Sequence, residues 1–222
     1  MKITDGIYLI PEMGMSNAYL LEHDDKLLVI DTGMPGHARK IASYVESLGK
    51  DSRSVETIVL THPDLDHSGS AAQLKQLTGA RIAIHEKDAP RFAGEKPWGE
   101  AKGASGFVIR IISLFIRLQP VPPDISLKEG EKLGPLTVLE TPGHTSGSIS
   151  LYEPETALFS GDALLTNGKG SFQEPRMVNE ELGRESIRRM ATLQFEYLLP
   201  GHGTPVEGNA SDKLKDFVNR EL

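Results

Sequence analysis

The sequence contains no cysteine, and this absence excludes several kinds of chemistry. Without thiolates the chain cannot form a disulfide, bind a metal through sulfur or use a thiol nucleophile. No apolar run reaches the roughly 20 residues that a membrane-spanning helix needs. The net charge of −7 is opposite in sign to the basic surface that nucleic-acid binding requires. These absences leave a small molecule as the expected partner, with neither nucleic acid nor stable membrane insertion.

The length and the amino terminus suggest one domain in the cytoplasm. A chain of 222 residues can bury a sizeable core as a single domain, so we expect one domain over residues 1–222. Residues 86–128 differ from the rest in composition and are expected to be an inserted segment. The stretch Met1 to Glu12 has no basic region followed by an apolar one, so no secretory signal is expected and a cytoplasmic location follows.

Two imidazoles and two carboxylates lie within six residues directly after the apolar run Val55–Leu60. An aliphatic, β-branched run that ends in a polar cluster indicates a buried strand followed by a loop, which is where sites commonly lie. Imidazole nitrogen and carboxylate oxygen together suit zinc, iron or manganese. The candidate ligands of this loop are His62, Asp64, Asp66 and His67.

Three further fragments repeat the pattern, because each places one potential ligand just after a short strand-like run. A single histidine in a Gly-Pro turn is equally well explained as a turn residue. Four such strand ends in one chain instead predict a shared metal site. The three additional candidates are His144, Asp162 and His202. By contrast, His23, His37 and His85 are expected to be surface or loop residues.

The order of these fragments resembles the metallo-β-lactamase superfamily over nearly the whole chain. The resemblance implies an α/β fold, the four-layer α/β/β/α sandwich, with two divalent metal ions in a dinuclear site. It implies that His62, Asp64 and His144 bind the first metal, that Asp66, His67 and His202 bind the second, and that Asp162 bridges them. A metal-bound hydroxide would then attack the substrate, and Asp66 would pass a proton to the leaving atom or serve as a ligand alone.

Asp64 departs from the commonest family pattern, which has histidine at this position. With three aspartates, two divalent ions leave one net positive charge where the usual pattern leaves two, so the bound water should be less acidified. Zinc is the first expectation, and the added oxygen ligand favours iron or manganese as alternatives. Because aspartate is shorter than histidine, Asp64 reaches a metal only if its backbone lies closer or a water intervenes.

The fragments at 141–151 and 160–164 resemble the glyoxalase II and quorum-quenching lactonase branches most closely. The helical substrate domain of glyoxalase II is not expected, since only about twenty residues follow His202. We therefore expect an ester, lactone or thioester with an apolar portion. Two other classes stay open: an iron-dependent oxidoreductase or dioxygenase of the same superfamily, and a metal-binding module without catalysis.

The segment Phe107 to Leu118 is apolar except for Arg110, Ser113 and Arg117, which fall on one narrow helical stripe. Such a helix must be covered, line a pocket or contact a partner. We expect a lid or pocket wall that also forms a homodimer contact, and an ordinary buried helix fits the pattern equally well. Elsewhere, Asp31 is expected to orient a ligand histidine or to cap a turn.

Overall fold

The computed structural model of the chain describes residues 1–96 and 120–222. These residues form two compact units, Met1–Ser126 and Leu127–Leu222. The segment Phe107–Leu118, with its expected lid and homodimer contact, lies outside the described residues. The single-domain span and the insertion at 86–128 therefore stay predictions. Within the described ranges, no helix combines the length and apolarity needed to cross a membrane.

A seven-stranded sheet, with its strands in chain order, organises the first unit. Its strands are β1 (Lys2–Thr4), β2 (Ile7–Leu9), β3 (Tyr19–His23), β4 (Lys26–Ile30), β5 (Val55–Leu60), β6 (Arg81–His85) and β7 (Ile125–Leu127), whose last residue falls in the second unit. The first four strands are antiparallel neighbours, whereas β4, β5 and β6 run parallel. The carboxyl ends of β4, β5 and β6 therefore meet at one edge of the sheet.

In the described residues of this unit, four helices accompany the sheet: α1 (Ala38–Ser47), α2 (Leu65–Ser68), α3 (Ala71–Thr78) and α4 (Ala89–Phe92), with a short 3₁₀ turn at Ser52–Ser54. Helix α1 buries Ile41 and Val45 in the core of the unit, and α3 buries Leu74 there. Gly79 ends α3 with φ of +79°, a conformation that glycine adopts without strain. The core contacts of α1 and α3 hold both helices in place.

The second unit contains a six-stranded sheet in the order β15-β14-β11-β10-β9-β8 and a two-stranded sheet of β12 and β13. The bounds are β8 (Lys132–Leu133), β9 (Leu136–Glu140), β10 (Ile149–Glu153), β11 (Glu155–Gly161), β12 (Leu165–Thr166), β13 (Phe172–Gln173), β14 (Phe195–Pro200) and β15 (Val206–Glu207). Helices α5 (Glu180–Met190) and α6 (Ala210–Glu221) contribute Ile187, Met190 and Leu214 to the core of this unit.

Strand direction decides where the chain emerges from the second sheet. Strands β9 and β11 are both antiparallel to β10, and β14 is parallel to β11. Strands β9, β11 and β14 therefore all run the same way, and their carboxyl ends lie at the same edge. The three candidate ligands of this unit follow those three ends.

Candidate metal centre

In the first unit, the register of three parallel strands brings three polar residues to one edge. Ile30 lies opposite Val59, and Leu60 lies opposite Ile84. The residues that follow these positions are Asp31, Thr61 and His85. The candidate ligand loop begins at this edge, since His62 comes directly after Thr61.

Asp31 is the main support of the ligand loop. It is 2% exposed, and its carboxylate accepts hydrogen bonds from the Thr61 amide at 2.9 Å and the Thr61 hydroxyl at 2.8 Å. The His67 Nδ1 lies 2.8 Å from the same carboxylate. A carboxylate only accepts, so His67 carries its proton on Nδ1 and presents the lone pair of Nε2. Asp31 therefore orients His67, and the role of His67 as a metal ligand stays a prediction.

His62 is oriented through Thr61. The Thr61 hydroxyl donates to Asp31, so its oxygen accepts from the His62 Nδ1, which lies 3.0 Å away. His62 is therefore also in the tautomer whose Nε2 can bind a metal. The two imidazole rings are both fully buried, and their centroids lie 4.1 Å apart.

Each carboxylate of the loop lies close to one imidazole. Asp64 Oδ2 is 3.8 Å from His62 Nε2, and Asp66 Oδ2 is 3.8 Å from His67 Nε2. These separations are too wide for hydrogen bonds. Two ligands at about 2.0–2.1 Å from one tetrahedral ion lie about 3.3–3.4 Å apart, so each pair could hold an ion with a small adjustment. The carboxylate of Asp64 thus reaches the imidazole that it would share a metal with, although direct ligation by Asp64 stays a prediction.

Neighbouring segments anchor the backbone of the ligand loop by donating hydrogen bonds to its carbonyl groups. The Thr32 amide and hydroxyl both donate to the His67 carbonyl, at 2.6 and 2.9 Å, and the Ser16 hydroxyl donates to the Asp66 carbonyl. Gly69 follows immediately, and a Cβ there would lie 2.6 Å from the Pro35 nitrogen. The loop is therefore held on both sides by the segment after β4 and by the segment before β3.

In the second unit, Asp162 lies between two imidazoles. Gly161 is the register partner of Pro200, and the Gly201 amide donates to the Gly161 carbonyl at 2.8 Å, which brings Asp162 and His202 to neighbouring strand ends. Asp162 Oδ2 is 3.3 Å from His202 Nε2 and 3.7 Å from His144 Nε2. One carboxylate oxygen at these distances from two nitrogens is suited to a bridging role.

His144 is oriented by a backbone carbonyl. Its Nδ1 donates to the Arg176 carbonyl at 2.7 Å, which again leaves Nε2 as the metal-binding nitrogen. Helix α5 supports the same loop, since the Ser186 hydroxyl donates to the Pro142 carbonyl at 2.8 Å. Gly143 packs so tightly that a Cβ there would lie 2.4 Å from the Gly183 Cα.

Tyr19 is buried beside the strand end that leads to Asp31. Tyr19 is the register partner of Ile30, which precedes Asp31. Burial raises the pKa of the Tyr19 phenol well above its ordinary value, and a hydrogen bond with Asn17 only partly opposes this. The phenol therefore stays neutral at physiological pH and well above it.

The structure places all seven candidate ligands at sheet edges. Four of them share one loop of the first unit. The other three lie at one edge of the second unit, where His144 and His202 flank Asp162. The full ligand set stays a prediction. One expectation was wrong: His85, expected at the surface or in a loop, ends β6 and is fully buried, with its Nδ1 accepting from the Lys87 amide at 3.3 Å. The apolar run Ile82–Ile84 directly before His85 was the feature of the sequence that indicated its burial.

Comparison with known proteins gives the family. The family model described as the metallo-beta-lactamase superfamily matches residues 11–202. The probable metallo-hydrolase YflN of Bacillus subtilis is 28% identical, over 93% of this chain and 88% of the relative. The hydroxyacylglutathione hydrolase GloC of Haemophilus influenzae is 30% identical, over 91% and 92%. The human acyl-coenzyme A thioesterase MBLAC2 is 28% identical, over 90% and 79%.

A solved structure agrees with the sequence matches. The protein TTHA1623 in a di-iron-bound form superimposes with a TM-score of 0.72 at 28% identity, covering 93% of this chain and 95% of that one. The α/β fold class expected from the sequence is thereby confirmed, and so is the resemblance carried by the ligand motifs. The chain belongs to the metallo-β-lactamase superfamily.

Proposed function

We propose that the protein is a metal-dependent hydrolase that cleaves a small thioester with an apolar acyl group. In this proposal His62, Asp64 and His144 hold one divalent ion, Asp66, His67 and His202 hold a second, and Asp162 bridges them. The observation that carries the proposal is that three of the four histidines have Nδ1 held by an oxygen partner and present Nε2 towards a carboxylate.

The donor set fits two divalent transition ions. Four imidazole nitrogens and three carboxylates suit zinc, iron or manganese, and the nitrogen–oxygen separations of 3.3–3.8 Å leave room for an ion. Bound there, two such ions would lower the pKa of a water molecule and polarise a carbonyl group. We propose zinc as the physiological metal, with iron or manganese as the alternatives that Asp64 allows.

The chain's own residues would orient the reactants and move one proton. During hydrolysis the oxygen of water bonds to the carbonyl carbon, the carbon–sulfur bond breaks, and an acid and a thiol form. In this proposal Asp66 would accept the proton that water gives up and pass it to the departing sulfur. Its main chain is fixed by the Ser16 hydroxyl, so the carboxylate pivots only about its own side-chain bonds.

The choice of a thioester over an ester or lactone is supported by two relatives. GloC is named for a thioester of glutathione and MBLAC2 for acyl thioesters of coenzyme A, and both align over at least 90% of this chain. The seven ligand positions fall within the residues that the family model matches. A small representative of this substrate class, an acyl thioester of N-acetylcysteamine, is therefore the first compound to assay.

The test is a turnover assay of the zinc-loaded protein on thioesters, esters and lactones of matched acyl groups. We expect thioesters to give the highest kcat/KM, and Asp66→Asn to lower kcat by about 100-fold or more, within the range of general acid–base catalysis. Asp5→Asn is the matched control because its side chain is 97% exposed, and it should leave kcat unchanged. Absence of hydrolysis of every compound by the wild type, or an unchanged kcat in Asp66→Asn, would contradict the proposal.

An iron-dependent oxidoreductase is the second candidate. It is favoured by the extra carboxylate Asp64 together with the likeness to TTHA1623 in a di-iron-bound form. This function predicts oxygen consumption by the iron-loaded protein that depends on an added reduced substrate. Oxygen-electrode measurements beside the hydrolysis assay separate the two, because the hydrolase consumes no oxygen.

A further inference from the structure

Two exposed apolar residues, Val178 and Leu182, lie four positions apart in the sequence at the start of α5. In the described part of the chain, the large apolar residues with exposed side chains are Met1, Met15, Leu77, Val178 and Leu182. Val178 is 52% exposed and Leu182 is 41% exposed, and they are four residues apart around the helix start. They differ from Met1 and Leu77 by their position, since their segment contacts the loop that carries His144.

Backbone hydrogen bonds fix this segment to the ligand loop. The amides of Val178 and Asn179 both donate to the Gly143 carbonyl, at 2.8 and 3.1 Å, and the Arg176 carbonyl accepts from His144 Nδ1 at 2.7 Å. The main chain of Val178 is therefore hydrogen-bonded to Gly143, the residue that precedes His144. An apolar surface next to a proposed metal ligand is thus built into the second unit.

Packing at the start of α5 does not explain why Val178 and Leu182 are apolar. Asn179 caps α5 by accepting from the Leu182 amide at 3.1 Å, which makes Val178 the residue before the cap. A residue in that position often packs against the fourth residue of the helix. Here that fourth residue is Gly183, which has no side chain to offer, and it is Met177 that packs against Gly183.

Known types of interaction explain the neighbouring side chains of this segment. Met177 packs against the core of the second unit. Glu180 and Glu181 lie in the first turn, where negative charge complements the helix dipole. Arg184 forms an ion pair with Glu174 at 2.9 Å. Val178 and Leu182 are left as the apolar residues of this segment whose exposure no interaction within the helix explains.

We propose that Val178 and Leu182 are specificity-determining residues that contact the acyl chain of the substrate. This inference rests on the proposed thioester hydrolysis, and it names the part of the substrate that the second unit recognises. An acyl chain covers apolar side chains without needing a polar partner, and its binding grows stronger with each methylene added. The pair should therefore set the preference for chain length and leave the chemical step unchanged.

The experiment compares acyl thioesters of N-acetylcysteamine with two, four and eight carbons. The double variant Val178→Thr, Leu182→Gln keeps side-chain size and the Asn179 cap while making the surface polar. We expect kcat/KM for the eight-carbon substrate to fall about tenfold in this variant, in the range that apolar pocket contacts supply. The two-carbon substrate should change less than about twofold, since it lacks the methylenes that would gain from the contact.

Leu77→Gln is the matched control, because Leu77 lies on α3 and its 45% exposure is close to the 41% of Leu182. It should leave the chain-length profile unchanged. A readout that does not depend on turnover is the affinity of the octyl thioether of N-acetylcysteamine, measured by calorimetry. Its Kd should rise about tenfold in the double variant and stay constant in Leu77→Gln.

The outcomes separate this inference from the proposed function. A wild type that hydrolyses no thioester contradicts the proposed function and the inference with it. A wild type that is active, with an unchanged chain-length profile and Kd in the double variant, contradicts the inference alone. An equal loss on all chain lengths together with a lowered melting temperature would show that the pair packs against the protein itself, which also overturns the inference.

Discussion

At the scale of single residues, Asp31 connects both candidate ligand histidines of the first unit to the sheet. It accepts from His67 directly and from the Thr61 hydroxyl that in turn faces His62. We expect Asp31→Asn to weaken zinc binding by about 10–100-fold, because an amide can donate where the carboxylate only accepts and so disturbs both tautomers. Competition with a fluorescent zinc chelator measures this loss.

The control for Asp31→Asn is the same substitution at an exposed aspartate. Asp5→Asn should bind zinc as the wild type does, since the Asp5 side chain is almost fully exposed and contacts Lys2. Circular dichroism should show both variants folded. Zinc affinity equal to the wild type in Asp31→Asn would mean that Thr61 and the backbone orient the histidines without it.

Asp64 allows a second test at this scale, because it distinguishes the chain from the commonest family pattern. Substituting histidine replaces an oxygen donor and a negative charge by a nitrogen donor. We expect Asp64→His to raise the zinc-to-iron ratio of the purified protein and to shift the acidic limb of the pH–rate profile to lower pH, since the site becomes more positive. An unchanged metal ratio and an unchanged profile would show that Asp64 is not a ligand.

The candidate ligands could be read from the sequence because each follows an apolar run, and strand ends are local features. Their supports could be predicted less well. Asp31 was identified from its own strand end, whereas the Arg176 carbonyl that orients His144 is a backbone group 32 residues away. Its position depends on the path of the chain between them, and no side-chain pattern records that path. His85 differs from this case, because the apolar run directly before it is a local signal of a buried strand end.

At the scale of elements, the contact between α5 and the His144 loop carries a prediction. Gly143 has φ of +148°, and a Cβ there would lie 2.4 Å from the Gly183 Cα. Because backbone cannot move aside as a flexible side chain does, we expect Gly143→Ala to lower the free energy of unfolding by about 2–4 kcal/mol and to weaken metal binding. Urea denaturation and zinc competition measure the two effects.

Gly130→Ala separates close packing from backbone strain. Gly130 lies in the same unit with φ of +80°, and a Cβ there would meet nothing within 4 Å. It should cost about 1–2 kcal/mol through its left-handed conformation alone and leave zinc affinity unchanged. Equal effects of the two substitutions on stability and on zinc affinity would contradict the assigned role of the glycine contact.

The close approach of Gly143 and Gly183 requires a glycine inside α5, and that glycine helps to explain why the sequence did not predict this helix. Gly183 lies inside the helix and costs it about 1 kcal/mol of intrinsic propensity relative to alanine. Strand β5 was predicted with the bounds that the structure has, since a continuous aliphatic run marks a buried parallel strand clearly. Helix α5 begins at a local cap, Asn179, and it also gains from the burial of Ile187 and Met190, a tertiary contribution that a local pattern shows weakly.

At the scale of the whole molecule, the two sheets each direct three parallel strand ends to one edge, and every candidate ligand follows one of those ends. Strand order and direction decide which candidate ligands lie at the same sheet edge. The sequence therefore identified the candidate residues but did not show how they are grouped. The family match adds that this arrangement belongs to the metallo-β-lactamase superfamily. The central claim of the proposed function is that the seven candidate ligands hold two metal ions that serve hydrolysis.

The most direct measurement is the metal content of the purified, full-length protein, determined by plasma mass spectrometry for zinc, iron and manganese. The account predicts about two ions per chain in total, since seven donors can fill two sites. It predicts fewer than one in the double variant Asp162→Ala, His202→Ala, with Asp5→Asn equal to the wild type. Less than half an ion per chain in the wild type, even after incubation with each metal, would contradict it.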